Sequence, residues 1–258
     1  MQSYEITPKV DAAREFLEIA GDFTNPLEVV REAISNSMDA GATAMKIEFS
    51  QPREVGTYVL TILLEDNGRG MDGDELQAFF DLGNSSKRHR PELIGEKGHG
   101  TKVFFNCASI RVETTRDNVT RTAEMQQPFK SLHAGQLPQA SVTVREAVGR
   151  SAGTQIRILG FNDNQGEFFT HERLRDYIKW FTKFGSCEAV FDRDENRAKV
   201  IDLKGLDAKA SQRIEFGHVF PEAPHPHLHH HPGMSIVPRH TVSIDVRKPP
   251  DTFVDFRA

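Results

Sequence analysis

Hydrophobic positions recur along this chain with two periods. Between Asn25 and Gly41 they fall at Leu27, Val30, Ile34 and Met38, one stripe when each residue advances ~100° around an axis. That spacing predicts a helix, with Asn25 as cap, Pro26 at the first position, Glu28 where a capping box places an acid, and Gly41 as stop. Glu32, Asn36 and Asp39 fall within roughly 60° of one another on the other side. One face packs, and the other presents a carboxylate, an amide and a second carboxylate. An ordinary amphipathic helix with a solvated polar face has the same pattern.

Period-two alternation marks Thr43–Ser50 and the Thr57–Leu64 run as two strands able to pair across a short polar turn. Ser109–Thr115, Thr120–Gln126, Ala140–Glu146 and Thr154–Leu159 are further strands, with short ones at Ala189–Phe191 and Lys199–Leu203. Helices are expected over Asp11–Gly21, over Asp72–Asp81 and over His171–Lys183, the last with Leu174, Tyr177, Ile178 and Phe181 on its packed side. Strands following one another across polar turns predict a mostly antiparallel sheet mixed with helices, an α+β fold.

Candidate chemistry gathers at three places. The first is the polar helix face already described. The second is Asp66, at the end of the 57–64 run, where Gly68 and Gly70 let the backbone turn sharply and let a flat ligand approach closely. A hairpin or a strand-to-helix turn would use Asn67-Gly68 equally well. The third is the run from Leu82 to Phe105, in which Gly95, Gly98 and Gly100 precede an apolar, helical-looking segment. Successive backbone N–H groups at such a helix start form an anion site, and Lys87, Lys97 and Lys102 add positive charge, so phosphate suits it. Gly95 to Lys102 nearly matches a P-loop, but Thr101-Lys102 stands in reversed order, and the preceding polar stretch with Pro91 is no buried strand.

Taken together, these motifs resemble the GHKL ATPases: gyrase, the ninety-kilodalton heat-shock chaperone, histidine kinases and MutL, with the MORC proteins nearby. Glu32-x-x-x-Asn36-x-x-Asp39-Ala40 is similar to the N-box of that superfamily, Asp66-x-Gly68-x-Gly70 to its adenine motif, and Gly95-x-x-Gly98-x-Gly100 to its lid motif. Ser86-Lys87 and Lys102 resemble the MutL and MORC branches, and Gly153-Thr154 the last nucleotide motif. The resemblance covers residues from about 12 to 205. It implies a Bergerat fold, a two-layer α/β sandwich whose mixed, mostly antiparallel sheet is covered on one face by helices.

It also implies ATP and Mg²⁺ as ligands. On that reading Asp66 accepts from the adenine amine with Thr154 in support, while Gly70 and Met71 line the base pocket. Asn36 ligates Mg²⁺. Backbone N–H groups of Gly98, His99, Gly100 and Thr101, in the segment opened by Gly95, face phosphate, Lys87 and Lys102 counter its charge, and Ser86 joins them among the nucleotide-binding residues. Glu32 orients or deprotonates the attacking water, and Asp39 either contacts nucleotide through water or, as the favoured reading, holds the helix against its neighbours. Residues 83 to 100 form a charged, glycine-bearing connection suited to ordering on ligand.

Composition narrows the setting. A net charge of -5 and pI near 6.1 disfavour wholesale nucleic-acid binding, leaving only local basic contacts. Two cysteines, Cys107 and Cys187, are too few for a disulfide framework and are expected as buried thiols in a reducing cytosol. Residues 1 to 20 hold no apolar signal core, and no run approaches the ~18 apolar residues of a membrane span, so a soluble cytoplasmic protein is expected. Beyond Leu203 the composition shifts to Pro, Gly and His. The expected organisation is an ATP-binding domain over 1–205, a linker or loop over 206–240, and the start of a further module over 241–258. The His-rich tract has neither cysteines nor a repeated paired spacing to mark a metal site.

The functional expectation is the N-terminal ATPase part of a larger DNA-handling or defence protein, in which ATP drives lid closure and homodimerisation, with nucleic acid contacted outside this segment. An ATP sensor without turnover, a chaperone-type domain and a histidine-kinase-type domain stand as alternatives. A distal catalytic lysine, common in relatives, has no recognisable motif here.

Overall fold

The computed structural model describes residues 10–21, 23, 25–54, 56–81, 100–182, 184 and 200–215. Helix α1 spans Ala12–Gly21, and α2 spans Glu28–Asp39. Strand β1 (Ala44–Ser50) is followed by a small hairpin of β2 (Arg53–Glu54) and β3 (Thr57–Tyr58), then by β4 (Thr61–Asp66) and helix α3 (Gly73–Phe80). A 3₁₀ turn at Gly100–Phe105 leads to β5 (Ser109–Arg116), β6 (Val119–Gln126), the short α4 (Pro128–His133), β7 (Ala140–Glu146) and β8 (Gly153–Leu159). Helix α5 (His171–Phe181) and strands β9 (Val200–Lys204) and β10 (Gln212–Glu215) complete the described chain.

Among the described residues, eight strands form one sheet in the order β10-β9-β1-β4-β8-β5-β6-β7. All neighbours run antiparallel except β1 and β9. The register lines up whole rows of side chains on one face. One row reads Phe49, Ile62, Ile158, Ile110 and Met125; the next reads Ile47, Leu64, Ile156, Val112 and Ala123. These rows share a single core with Val29, Val30, Ile34 and Met38 of α2, with Leu76 and Phe79 of α3, and with Leu174 and Ile178 of α5. Each fully buried aliphatic side chain contributes roughly 1.5–3 kcal/mol, so the covered face is where the helices gain their stability. The opposite face carries Lys46, Glu48, Arg111 and Glu113, joined by ion pairs. The fold is therefore the expected α+β sandwich with a mixed, mostly antiparallel sheet.

Five expectations change in detail. Helix α2 begins at Glu28 after a turn, with Leu27 as its cap residue. Asn25 acts one step earlier, its Oδ1 accepting from the Leu27 N–H at 3.0 Å. Glu28 closes no capping box, because its carboxylate pairs with Arg31 and accepts from the Tyr177 hydroxyl at 3.0 Å. The 57–64 run divides, since Thr57–Tyr58 pairs with Arg53–Glu54 while the sheet strand starts at Thr61. Phe181 is 66% exposed and stacks on Tyr177 rather than entering the core. Finally, Gln212–Glu215 adds the edge strand beside β9, inside the stretch expected as linker. The capping box that does form belongs to α3, where Asp72 and Glu75 cap each other. Cys107 is buried and free, whereas Cys187, Ala189–Phe191 and the His-rich tract lie outside the described residues.

Candidate functional site

The third row of the covered face differs from the other two. It runs Met45, Asp66, Thr154, Thr114 and Arg121 across β1, β4, β8, β5 and β6, so the apolar face turns polar at one end of the sheet. Asp66 and Thr154 are direct cross-strand partners. The Thr154 hydroxyl lies 3.1 Å from that of Thr114, and Thr114 Oγ1 accepts from the Met71 N–H at 2.8 Å. One hydroxyl thus ties the expected base-pocket residue Met71 to the strand carrying Thr154.

Asp66 is gripped from two sides. Its Oδ1 accepts from the Gly68 N–H at 2.8 Å, and its Oδ2 accepts from the Ser37 hydroxyl at 3.3 Å. Lost hydration raises its pKa above the usual carboxylate value, and the Gly68, Ser37 and Thr154 hydrogen bonds offset part of that rise. Two glycines bring the backbones together here. Gly70 has φ +69°, and a Cβ on it would overlap the Thr115 carbonyl oxygen. Gly153 has φ +153°, and a Cβ would overlap the Asp66 carbonyl. Any larger residue is excluded at both positions by backbone, which cannot step aside. The Arg69 N–H donates to the Ala40 carbonyl at 3.0 Å, tethering this loop to the end of α2.

Helix α2 supplies the other half. Asn36 Nδ2 donates to Glu32 Oε1 at 2.9 Å, one helical turn apart, so both side chains leave the helix on the same side. Ser37 is buried and reaches Asp66, which makes the helix continuous with the polar row of the sheet. Gly100 meets this face directly: a Cβ there would collide with the Glu32 carboxylate. Among the expected residues, the structure brings together Asp66, Gly70, Met71 and Thr154 at the sheet end, and Glu32 and Asn36 on α2 with Gly100 of the 3₁₀ turn against Glu32. The expected Ser86, Lys87, Gly95, Gly98 and His99 lie outside the described residues.

Thr101 and Lys102 are placed differently from expectation. The Lys102 side chain is fully buried, its Nζ donating to the Phe79 carbonyl at 3.0 Å and to Thr101 Oγ1 at 2.7 Å. The Thr101 hydroxyl donates to the same carbonyl at 2.9 Å. Burial lowers the ammonium pKa to about 8, countered by the negative charges of Glu32 and Asp81. The expected helical run after the glycines is a 3₁₀ turn, tight enough to bury Lys102, Val103, Phe104 and Phe105 together.

A groove of about 720 Å³ lies beside Phe16, Leu76, Phe80 and the β7 edge, and a hollow of about 500 Å³ lies by Lys46, Glu65, Asp66 and Asp202. Only the second touches an expected residue other than backbone neighbours, and neither is lined by Glu32 or Asn36. Size is therefore a poorer guide to this site than the convergence of polar groups. Sequence reading missed Ser37 and Thr114. Ser37 sits three residues after Ile34, the packed position on α2, which could have placed it inward. Thr114 has no local signal, because its role depends on which strand lies beside β8.

A divalent ion fits the α2 residues by donor chemistry. With Nδ2 turned toward Glu32, the Asn36 amide presents its oxygen on the other arm, the atom a hard cation takes. Among the described residues no cluster of three or more His, Cys, Asp or Glu could hold a metal by itself.

Residues 24–154 match the family model described as Histidine kinase-, DNA gyrase B-, and HSP90-like ATPase. Two similar curated proteins are the DNA mismatch repair protein MutL of Staphylococcus aureus strains Newman and JH1, each 29% identical over 99 residues, covering 36% of this chain and 14% of the relative. The match therefore spans only 14% of the curated relatives' length. A solved structure described as the N terminal domain of a DNA repair protein aligns with TM-score 0.40 and 20% identity, over 66% of this chain and 43% of that one. The family match extends from the loop before α2 through the Thr154 strand, the span that holds both halves of the site. This chain belongs to the Histidine kinase-, DNA gyrase B-, and HSP90-like ATPase family, the GHKL superfamily.

Proposed function

We propose that the chain binds ATP with Mg²⁺ between α2 and the polar end of the sheet and hydrolyses it. The observation that supports this reading is the Ser37 to Asp66 hydrogen bond, which ties α2, the helix that carries Glu32 and Asn36, to the strand pair that carries Asp66 and Thr154. Asp66 accepts from the exocyclic amine of adenine, Thr154 supports it through its hydroxyl, and Gly70 and Met71 flank the base. Asn36 offers its amide oxygen to Mg²⁺, which supplies charge neutralisation to the phosphates when bound. The backbone N–H groups of Gly100 and Thr101 face phosphate, joined by Ser86, Lys87, Gly95, Gly98 and His99 of the preceding motif.

Glu32 takes the proton of the attacking water or orients it toward the terminal phosphate. Its carboxylate is held for that task by the Asn36 amide and by the close approach of Gly100. An intact acid at this position favours turnover over simple sensing. In the whole protein, nucleotide binding closes the lid and brings two copies together as a clamp that acts on DNA, a role suggested by the resemblance to MutL. The ATP-binding domain then extends past the expected boundary at residue 205 to include β10 at Gln212–Glu215, and the expected linker and further module follow it.

Phosphate release on addition of Mg²⁺ and ATP tests the enzymatic reading; ATP binding without any release leaves a sensor. Comparing the oligomeric state with ATP analogue, with ADP and without nucleotide tests the clamp, and a monomer under all three conditions removes it.

A further inference from the structure

Phe79, at the end of α3, and the Thr101-Lys102 pair are 22 and 23 residues apart in the chain, yet three hydrogen bonds join them into a triangle. The Phe79 carbonyl accepts from both the Thr101 hydroxyl and the Lys102 ammonium, and the ammonium also donates to Thr101 Oγ1. The Phe79 carbonyl belongs to the last turn of α3, which presents partial negative charge. Phe105 and Phe16 place their rings 5.6 and 6.0 Å from the same nitrogen, closing it off from solvent. The charged groups facing this ammonium are Glu32 from α2 and Asp81 beyond α3. Gly100, two residues before Lys102, is the residue pressed against the Glu32 carboxylate.

A lysine that serves phosphate presents its donors to the ligand, as a mobile point charge on a flexible stem. Lys102 instead uses its ammonium on backbone and on its neighbour's hydroxyl, beneath two aromatic rings. We infer that Lys102 is a positioning residue for Glu32: by seating its ammonium on the Phe79 carbonyl it holds Gly100 against the Glu32 carboxylate. The inference rests on the proposed role of Glu32 in water activation and deepens it, assigning orientation of the acid to a lysine that touches neither phosphate nor water.

The experiment compares Lys102→Met, Thr101→Val, Glu32→Gln and the double variant Glu32→Gln/Lys102→Met in the full chain, reading ATP affinity, KM and kcat. Lys102→Met should lower kcat by about 10- to 100-fold, the scale of a misplaced catalytic group, while leaving Kd for ATP within about 3-fold. The loss should fall on kcat with KM held and should nearly vanish in the Glu32→Gln background, where adding Lys102→Met costs little more, a pattern that a merely structural role does not produce. Affinity lost by more than about 10-fold with kcat retained would make Lys102 a phosphate ligand and overturn the inference alone. An unchanged kcat in Lys102→Met, or an equal further loss in the Glu32→Gln background, overturns it too. If Glu32→Gln turns over like the wild type, the base assignment and this inference fall together. Should Lys102→Met not fold, Thr101→Val decides: a several-fold loss in kcat at constant Kd supports the inference, and unchanged kcat removes it.

Discussion

At the sheet end of the candidate site Asp66, Thr154 and Thr114 are carried on three neighbouring strands, while at the helix end Glu32 and Asn36 extend from α2 and are met by Gly100. What surrounds each group differs accordingly. Around Gly70 and Gly153 the nearest atoms are backbone carbonyls of β5 and of Asp66, which the hydrogen-bonded sheet holds in place. Around Gly100 the nearest atoms are the tip of the Glu32 side chain. The contrast teaches that the sheet end, where we propose the base binds, is built from the fold itself, whereas the helix end depends on side-chain orientation and can be altered without unfolding the protein.

The strongest way to sharpen this contrast is Glu32→Ala. Turnover should fall by about 10²- to 10⁴-fold, the usual worth of a general base, with ATP affinity nearly kept; phosphate-release kinetics beside calorimetric titration would show it. Unchanged turnover would remove the acid from the reaction.

Next in size is a pair of glycine substitutions. Gly70→Ala combines a positive φ with overlap on a backbone oxygen and should destabilise the protein by about 3 kcal/mol, read from denaturant melts. Gly100→Ala meets only a movable carboxylate, so its melt should stay close to wild type while kcat drops. Equal stability losses in the two variants would break the distinction between the two ends.

Asp66→Asn should weaken ATP binding by about 10- to 100-fold, the value of a hydrogen bond to a charged acceptor. Its effect on stability has the opposite sign. The folded-state pKa of Asp66 is raised, so the folded protein holds the proton more tightly than the unfolded chain does. The contribution of this group to stability is greatest at acid pH and is lost as pH rises from the ordinary carboxylate value through the raised one. Above that window the buried carboxylate is a standing cost, which the amide removes. The variant should therefore melt above wild type at neutral pH, with an advantage that shrinks on acidification, as thermal melts across pH would reveal.

The smallest effect is expected from Tyr177→Phe. It deletes the hydrogen bond from α5 to Glu28 at the start of α2 and should cost about 1 kcal/mol without changing ATP affinity, measured by denaturation and titration. A clear loss of affinity would show that α2 transmits strain from its far end to Asn36.

Much of this was legible along the chain. The strands at 109–116, 119–126 and 153–159 follow the alternation, because a half-buried strand must place every second residue against the core, whereas 140–146 pairs as a strand at the sheet edge with nearly all its side chains exposed. The helix spanning Glu28–Asp39 also kept its stripe, though not its cap. Boundaries were harder, since the turn at Asn25–Leu27 and the break between Tyr58 and Thr61 depend on what the neighbouring segments need. The packed stripe of α5 overreached at Phe181, because helical periodicity does not say where the neighbouring sheet stops.

The local order of residues alone determined the α+β class, the polar face of α2 and the glycines beside Asp66, since each follows from a residue's own geometry and its near neighbours. Only the tertiary structure decided that Thr114 stands opposite Thr154, that Ser37 reaches Asp66, and that Lys102 turns inward to Phe79. Those are meetings between segments far apart in the chain, and they are set by sheet register and core packing, quantities that no single stretch of sequence carries.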